Sequence, residues 1–318
     1  MKKSLLLIGA TGFLGKSLFT QLSEKYDIIT VGRSNSDIIC DLTKSKIDIL
    51  NIYDLVIIAA GIAHINTENI SKKGKLYIEN INIIQNIISS FSKEFTPTKV
   101  LYLSSVSVYG LSKGELIDET YFCEPQCEYG KAKLKSEQLL NMWASDSNLL
   151  LTIFRLPLVV GEFPPGNLKA MEIAIKSGYY FGIKDNLAKK SMVLTSDISK
   201  FLTLATNIGG IYNLTDGYNP TVNEFSNQIA LYFKKRKPVL LPLFLLKFAA
   251  LIGDFLPFFF PLNSHRLSKL TETLTFSDNK ARRKFGWEPK CVLTFYQNNR
   301  NLVPIDKAKD FGNIIPLS

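Results

Sequence analysis

The stretch LLLIGATGFLGKSL, residues 5 to 18, limits what this chain can fold into more than any other segment. Four apolar residues run into Gly9, Gly12 and Gly15, and apolar residues at helical spacing follow at once. A strand, a glycine turn and a helix in that order open a βαβ unit. The turn needs glycine conformations, the backbone must come close to a pyrophosphate, and the helix N-terminus offers free N–H groups at the positive end of its dipole. A dinucleotide-binding start is therefore the reading of this segment.

The rest of the first half keeps the same rhythm. SLLLIGA (4–10), DIITVG (27–32), DLVIIAAG (54–61), KVLYLSS (99–105) and LLLTIFRLP (149–157) read as strands, and GKSLFTQLSEKY, YIENINIIQNIISSFSKEF and YGKAKLKSEQLLNMWASD read as helices between them. Continuous apolar strands alternating with helices imply an α/β fold, a doubly wound parallel sheet covered on both faces. Residues 1–160 form the dinucleotide-binding half on this reading. Residues 161–318 lose the alternation and are expected to form a smaller, irregular substrate-binding region, some of whose segments return to the first.

Which dinucleotide is bound depends on the end of the second strand, where an acidic residue would hold the 2′-hydroxyl of NAD. Here Gly32 is followed by Arg33 and Ser34, a cation and a hydroxyl suited to a 2′-phosphate. NADP(H) is favoured. Arg33 as a surface arginine, or stacked on adenine, leaves NAD(H) open.

A chain of 318 residues, 46% hydrophobic and 21% charged, is globular and buries a sizeable core. Its formal charge of +10 is spread along the sequence, with short clusters only at KKRK (234–237) and KARRK (280–284), and no nucleic-acid-binding motif accompanies it. A phosphorylated small molecule is the expected anionic partner. Cys40, Cys123, Cys127 and Cys291 form no C-x-x-C pair, so no metal site is expected, and Cys123 and Cys127 read as plain reduced thiols. The N-terminal apolar run meets glycine too early for a signal peptide, which points to a cytoplasmic protein. The apolar stretch VLLPLFLLKFAALIGDFLPFFFPL (239–262) approaches the length of a membrane span, but Lys247, Asp254 and three prolines interrupt it. It reads as a buried helix and a pocket-lining loop, with contact at a membrane surface as the minor alternative.

In EYGKAKLKSE, four-residue spacing puts Tyr129 and Lys133 on one helical face. A neighbouring ammonium favours the phenolate of a tyrosine, which is otherwise a poor acid or base at neutral pH. Alone the pair is a common accident of an exposed helix. Some two dozen residues earlier, however, LYLSSVSVYG ends a strand in hydroxyls. With these motifs the chain resembles the extended short-chain dehydrogenase/reductases, the NAD(P)-dependent sugar epimerases and dehydratases. The resemblance runs from the glycine turn through CDL, IIAAG, YIENI, SSVSVYG and RLPLVVGE to the closing SDNKARRKFGWEP.

What the resemblance implies can be stated residue by residue. Tyr129 would be the general acid/base, Lys133 would tune it, Ser105 would bind the reacting oxygen, and Asn80 would order the site. Gly9, Thr11, Gly12, Phe13, Leu14, Gly15, Arg33, Ser34, Asp41, Leu42, Ala59, Ala60, Gly61 and Leu156 would line the cofactor together with Tyr129 and Lys133. Asn167, Arg266 and His64 would reach the substrate, a UDP-sugar, although a loop histidine with a structural hydrogen bond is the favoured account of His64. A homodimer through the two long helices stays open.

Sugar 4,6-dehydratases carry an Asp-Glu pair directly after the catalytic hydroxyl, and this chain has Val106 and Ser107 there. Without an acid to expel water, dehydration is disfavoured. The AAGIAH turn and the C-terminal pattern are most similar to reductases of UDP-linked 4-keto-6-deoxy-N-acetylhexosamines in surface polysaccharide (O-antigen or capsule) synthesis. A nucleotide-sugar 4-epimerase is the alternative. A non-catalytic dinucleotide sensor is a second one, opposed by the survival of Ser105, Tyr129 and Lys133 together.

Overall fold

The computed structural model describes residues 2–63, 70–255 and 262–298. Its first half runs β1 (Lys3–Ile8), α1 (Phe13–Leu22), β2 (Tyr26–Gly32), β3 (Ile38–Ile39), β4 (Leu55–Ile58), α2 (Ile70–Ser90) and β5 (Lys99–Ser105). A 3-10 turn at Val106–Tyr109 leads to β6 (Gly114–Ile117), α3 (Glu128–Ser147), β7 (Leu150–Leu156) and β8 (Leu158–Val160). There follow α4 (Gly166–Lys176), β9 (Phe181–Ile183), β10 (Met192–Leu194), α5 (Thr195–Thr206), β11 (Gly210–Asn213), α6 (Val222–Tyr232) and β12 (Val239–Leu241). The described chain closes with α7 (Leu243–Phe255), α8 (Ser264–Thr271), β13 (Leu274–Phe276), α9 (Asn279–Phe285) and α10 (Leu293–Asn298).

Seven of these strands form one sheet in the order β11-β7-β5-β4-β1-β2-β3, with parallel pairing throughout. The order runs outward in both directions from β1, which places a switch point beside the glycine turn, where doubly wound sheets bind ligands. Alternate residues along each strand feed opposite faces. Leu5, Leu7, Ile57, Leu101 and Leu103 pack with α1, α5 and α9, whereas Leu6, Ile8, Val56, Val100 and Tyr102 pack with α2 and α3. Both faces are therefore covered, and the strands read as unbroken apolar runs for that reason.

The short parallel pair β8–β10 joins α4, α6 and α10 in a second apolar cluster, while the pairs β6–β13 and β9–β12 enter two smaller ones. The closing Gly-Trp turn is tied back to the first: Trp287 is buried, edges Phe201, and donates its indole N–H to the Thr215 carbonyl at 2.9 Å.

Helix ends differ from the sequence pattern in two places. α1 stops at Leu22, because the chain turns through a Lys25-to-Leu22 backbone bond and Tyr26 is buried as the first residue of β2. α2 stops at Ser90, five residues before Phe95: the Ser90 hydroxyl bonds back to the Asn86 carbonyl at 2.6 Å and accepts the Ile47 N–H. Such back-bonding competes with helix continuation.

The expectation of a buried helix after residue 239 holds for one face of α7 only. Leu246, Ala250 and Gly253 are buried, whereas Phe244, Phe248 and Phe255 are exposed. Among the described residues no helix is long and apolar enough to cross a membrane.

Candidate active site

Three glycines of the first turn separate into two kinds. A Cβ on Gly9 would stand 2.5 Å from the Ala60 nitrogen, and one on Gly15 would stand 2.1 Å from the Gly9 carbonyl oxygen. The protein itself demands glycine at both. A Cβ on Gly12 meets only the Gly9 oxygen, at 3.4 Å, an ordinary contact, and the backbone there is extended. Gly12 is the N-cap of α1, with no side-chain hydrogen bond to the helix end. The N–H groups of the first turn, where Phe13 and Leu14 stand, are left for an anion.

Beside this turn lies a cleft of ≈ 800 Å³ between Thr11 and Lys16 on one wall and Ser34 to Asp37 on the other. Ser34 lines it, and Arg33 is exposed next to it. Asp37 and Lys16 were not anticipated from the sequence. The Asp37 carboxylate accepts the Thr30 N–H at 2.9 Å and the Thr30 hydroxyl at 2.7 Å, bonds that hold it below the usual carboxylate range. Asp41 is bonded within its own turn to Thr43, and Leu42 is buried in the core. An uncapped helix end, a glycine with space before it and a polar cleft continuing past the second strand together fit a dinucleotide.

At the ends of β4 and β5 a second group of residues meets. Asn80 is buried; its side chain accepts the Ile62 N–H at 2.9 Å and donates to the Ile62 and Leu76 carbonyls at 3.1 and 2.9 Å. It thereby pins the chain after Ala59 and Ala60 to α2. Gly61 leaves room here: a Cβ would lie 3.3 Å from the Lys133 ammonium and 3.4 Å from the Asn80 carbonyl oxygen. Ser105 caps the 3-10 turn by accepting the Ser107 N–H, donates to the Ser107 hydroxyl at 3.1 Å, and brings its own hydroxyl beside the Tyr129 phenol. Ser105, Tyr129, Lys133, Asn80 and Gly61 thus converge.

Lys133 is buried, donates to the Leu103 carbonyl at 2.8 Å, and lies over the rings of Tyr102 and Tyr129 at 4.6 and 5.9 Å. Burial lowers its ammonium to about 8, against an opposing pull from Glu137. Burial around the Tyr129 hydroxyl pushes that phenol up to about 12, with the neighbouring Ser105 hydroxyl opposing it.

One turn beyond Lys133 stands Glu137, which the sequence reading passed over. It is buried, accepts two bonds from Arg155 at 3.2 and 2.7 Å, and receives the Ser104 hydroxyl at 2.5 Å. Arg155 also donates to the Tyr109 phenol, which donates to Asn213 at 2.8 Å. The i, i+4, i+8 series Tyr129, Lys133, Glu137 was the available signal for it.

Leu156 packs in the core with Leu103. Asn167 is exposed in the first turn of α4 and Arg266 is exposed in the first turn of α8. His64 lies outside the described residues. The four cysteines are free thiols, and no cluster able to hold a metal occurs among the described residues.

A family model described as the NAD dependent epimerase/dehydratase family matches residues 5–179. The N-acetyl-alpha-D-glucosaminyl-diphospho-ditrans,octacis-undecaprenol 4-epimerase of Escherichia coli O157:H7 is 25% identical over 252 residues, covering 75% of each chain. The UDP-glucose 4-epimerase of Vibrio cholerae is 24% identical, covering 92% of this chain and 93% of its own. A crystal structure of UDP-N-acetylglucosamine 4-epimerase from Bacillus cereus superposes with a TM-score of 0.71 at 18% identity over 95% of this chain and 99% of that one.

The glycine geometry has a direct consequence. Gly12→Ala should leave the thermal transition near that of the wild type while weakening dinucleotide binding. Gly15→Ala should lower the transition itself, because its methyl group meets fixed backbone. Equal melting behaviour in the two variants would remove the distinction. A second consequence concerns Lys133. With a folded pKa of about 8 against its ordinary 10.5, the unfolded chain holds a proton that the folded chain lacks across that interval. Stability relative to Lys133→Met should therefore rise with pH from about 8 to about 10. Melting curves of both proteins across that range test it, and a flat difference would return the lysine to its ordinary pKa.

Proposed function

This chain belongs to the NAD dependent epimerase/dehydratase family of extended short-chain dehydrogenase/reductases, and we propose that it reduces the C4 keto group of a UDP-linked 4-keto-6-deoxy-N-acetylhexosamine with NADPH. The observation that carries an oxidoreductase reading is the meeting of Ser105, Tyr129 and Lys133 beside Gly61, with an anion-ready helix end at the same edge of the sheet. Such a group handles one proton at one oxygen. Val106 and Ser107 stand where a dehydratase needs acids, so the reading stops at C4 chemistry.

In this mechanism Ser105 holds the sugar oxygen, and Tyr129 gives it a proton. Lys133 presents its ammonium to the phenol and to the ribose edge of the cofactor, which favours the phenolate that the transfer leaves behind. Asn80 keeps the β4 loop and α2 in register around the ammonium. Phe13 and Leu14 offer backbone N–H groups to the pyrophosphate, and Arg33 and Ser34 receive the 2′-phosphate. A nicotinamide cofactor bound there supplies the hydride. Residues 161–318, with Asn167 and Arg266 among them, would hold the nucleotide and sugar, and the setting would be the cytoplasmic side of surface-polysaccharide synthesis.

The exposed Ser34–Asn35 wall suits a cofactor that leaves after each turnover, as a reductase requires. Retained cofactor and 4-epimerisation are the second reading, favoured by the names of the curated relatives above and by the Asp37 carboxylate in the cleft.

The purified protein, given NADPH and a panel of UDP-linked 4-keto and 4-hydroxy sugars, should consume the cofactor only with a 4-keto sugar. Tyr129→Phe should lower that turnover by roughly 100-fold or more while keeping cofactor binding. C4 inversion of a 4-hydroxy sugar without net loss of NADPH would establish the epimerase, and an active Tyr129→Phe protein would remove the mechanism. For the cofactor, NADPH should bind more tightly than NADH, and Arg33→Ala should abolish the difference. Equal titration of both cofactors against the wild type would refute that assignment.

A further inference from the structure

Helix α7 is apolar on two opposite sides. At about 100° per residue, Leu246, Ala250 and Gly253 form one buried stripe. Phe244, Phe248, Leu251 and Phe255 form another, centred about 180° away. The first packs against Leu267 of α8 and Ile183 of β9. The second is open to solvent, with relative exposures of 69%, 66%, 54% and 83%. Four large side chains in one exposed row exceed what a soluble surface carries without a partner.

Charge identifies the partner. Lys234, Lys235, Arg236 and Lys237 are all exposed and enter the segment through the short strand β12, whose Val239 and Leu240 are also exposed. Lys247 is exposed beside the apolar row. From 234 to 255 the chain has five cations and a single carboxylate, Asp254, and that one is engaged: it accepts the Ser264 N–H at 3.0 Å and the Ser264 hydroxyl at 2.5 Å, fastening α7 to the start of α8. An aromatic row edged by cations matches an anionic lipid surface, where apolar side chains enter the acyl boundary and lysines meet phosphates. A second copy of the chain would bring the same cations to the same face and be repelled. At 13 residues, about 20 Å, α7 is too short to span the ~30 Å of a bilayer core.

We infer that the exposed face of α7, with the Lys234–Lys237 cluster that precedes it in the chain, docks this protein on the surface of an anionic phospholipid membrane, the helix lying in the plane of the interface. The inference does not depend on the reaction proposed above.

The test is co-sedimentation of the full-length protein with phosphatidylcholine vesicles that either contain or lack phosphatidylglycerol. Binding is expected with phosphatidylglycerol and to fall with added salt. Phe244→Gln/Phe248→Gln and Lys235→Gln/Arg236→Gln should each weaken it by about 10-fold or more, with the melting temperature and NADPH titration unchanged. Equal recovery on both kinds of vesicle, or recovery insensitive to both double variants, would overturn the proposal. So would a concentration-dependent dimer that Phe244→Gln/Phe248→Gln abolishes, which would give the face to a second copy.

Discussion

Glu137 and Arg155 are almost wholly out of water, with side-chain exposures of 3% and 6%, and their pairing holds α3 against the ends of β5 and β7. A buried ion pair is weak evidence for stability, since desolvating two charges offsets most of their attraction. It is strong evidence for position. Removing either partner would strand the other at a cost of about 3–5 kcal/mol, so alternative rotations of the helix are excluded. The remaining lone pairs and protons are taken up by Ser104 and by Tyr109, which passes the network on to Asn213 of β11. Because Tyr129, Lys133 and Glu137 repeat every four residues, anchoring the last aims the other two. The most distant sheet edge, β11, therefore contributes to where the Tyr129 phenol stands.

Local features were legible in the sequence, and long-range ones were not. The glycine turn, the five strands around it and the three principal helices follow from short patterns whose physics is contained within a few residues. The Tyr129–Lys133 spacing is of the same kind. Glu137 looked like an exposed residue on a charged helix, because its burial depends on an arginine 18 positions later on another strand. Gly12 and Gly15 look alike in the sequence, because what separates them is how closely the folded Gly9 carbonyl approaches each. The run from 239 to 262 read as buried because composition alone cannot separate an apolar face that has a neighbour from one that has none.

The tyrosine–lysine pair also has an electrostatic bias. Desolvation acts on both members of the tyrosine–lysine pair and pushes each toward its neutral form, the phenol upward and the ammonium downward. Neither shift favours the phenolate–ammonium state that proton transfer to a sugar oxygen would leave behind. The Leu103 carbonyl, the hydrogen-bond partner of Lys133, is polar but uncharged. Hydroxyls of a bound ligand would give the ammonium further partners, and it is the retained ammonium charge that favours the neighbouring phenolate. Under the proposed mechanism, acid/base competence is then a property of the loaded site.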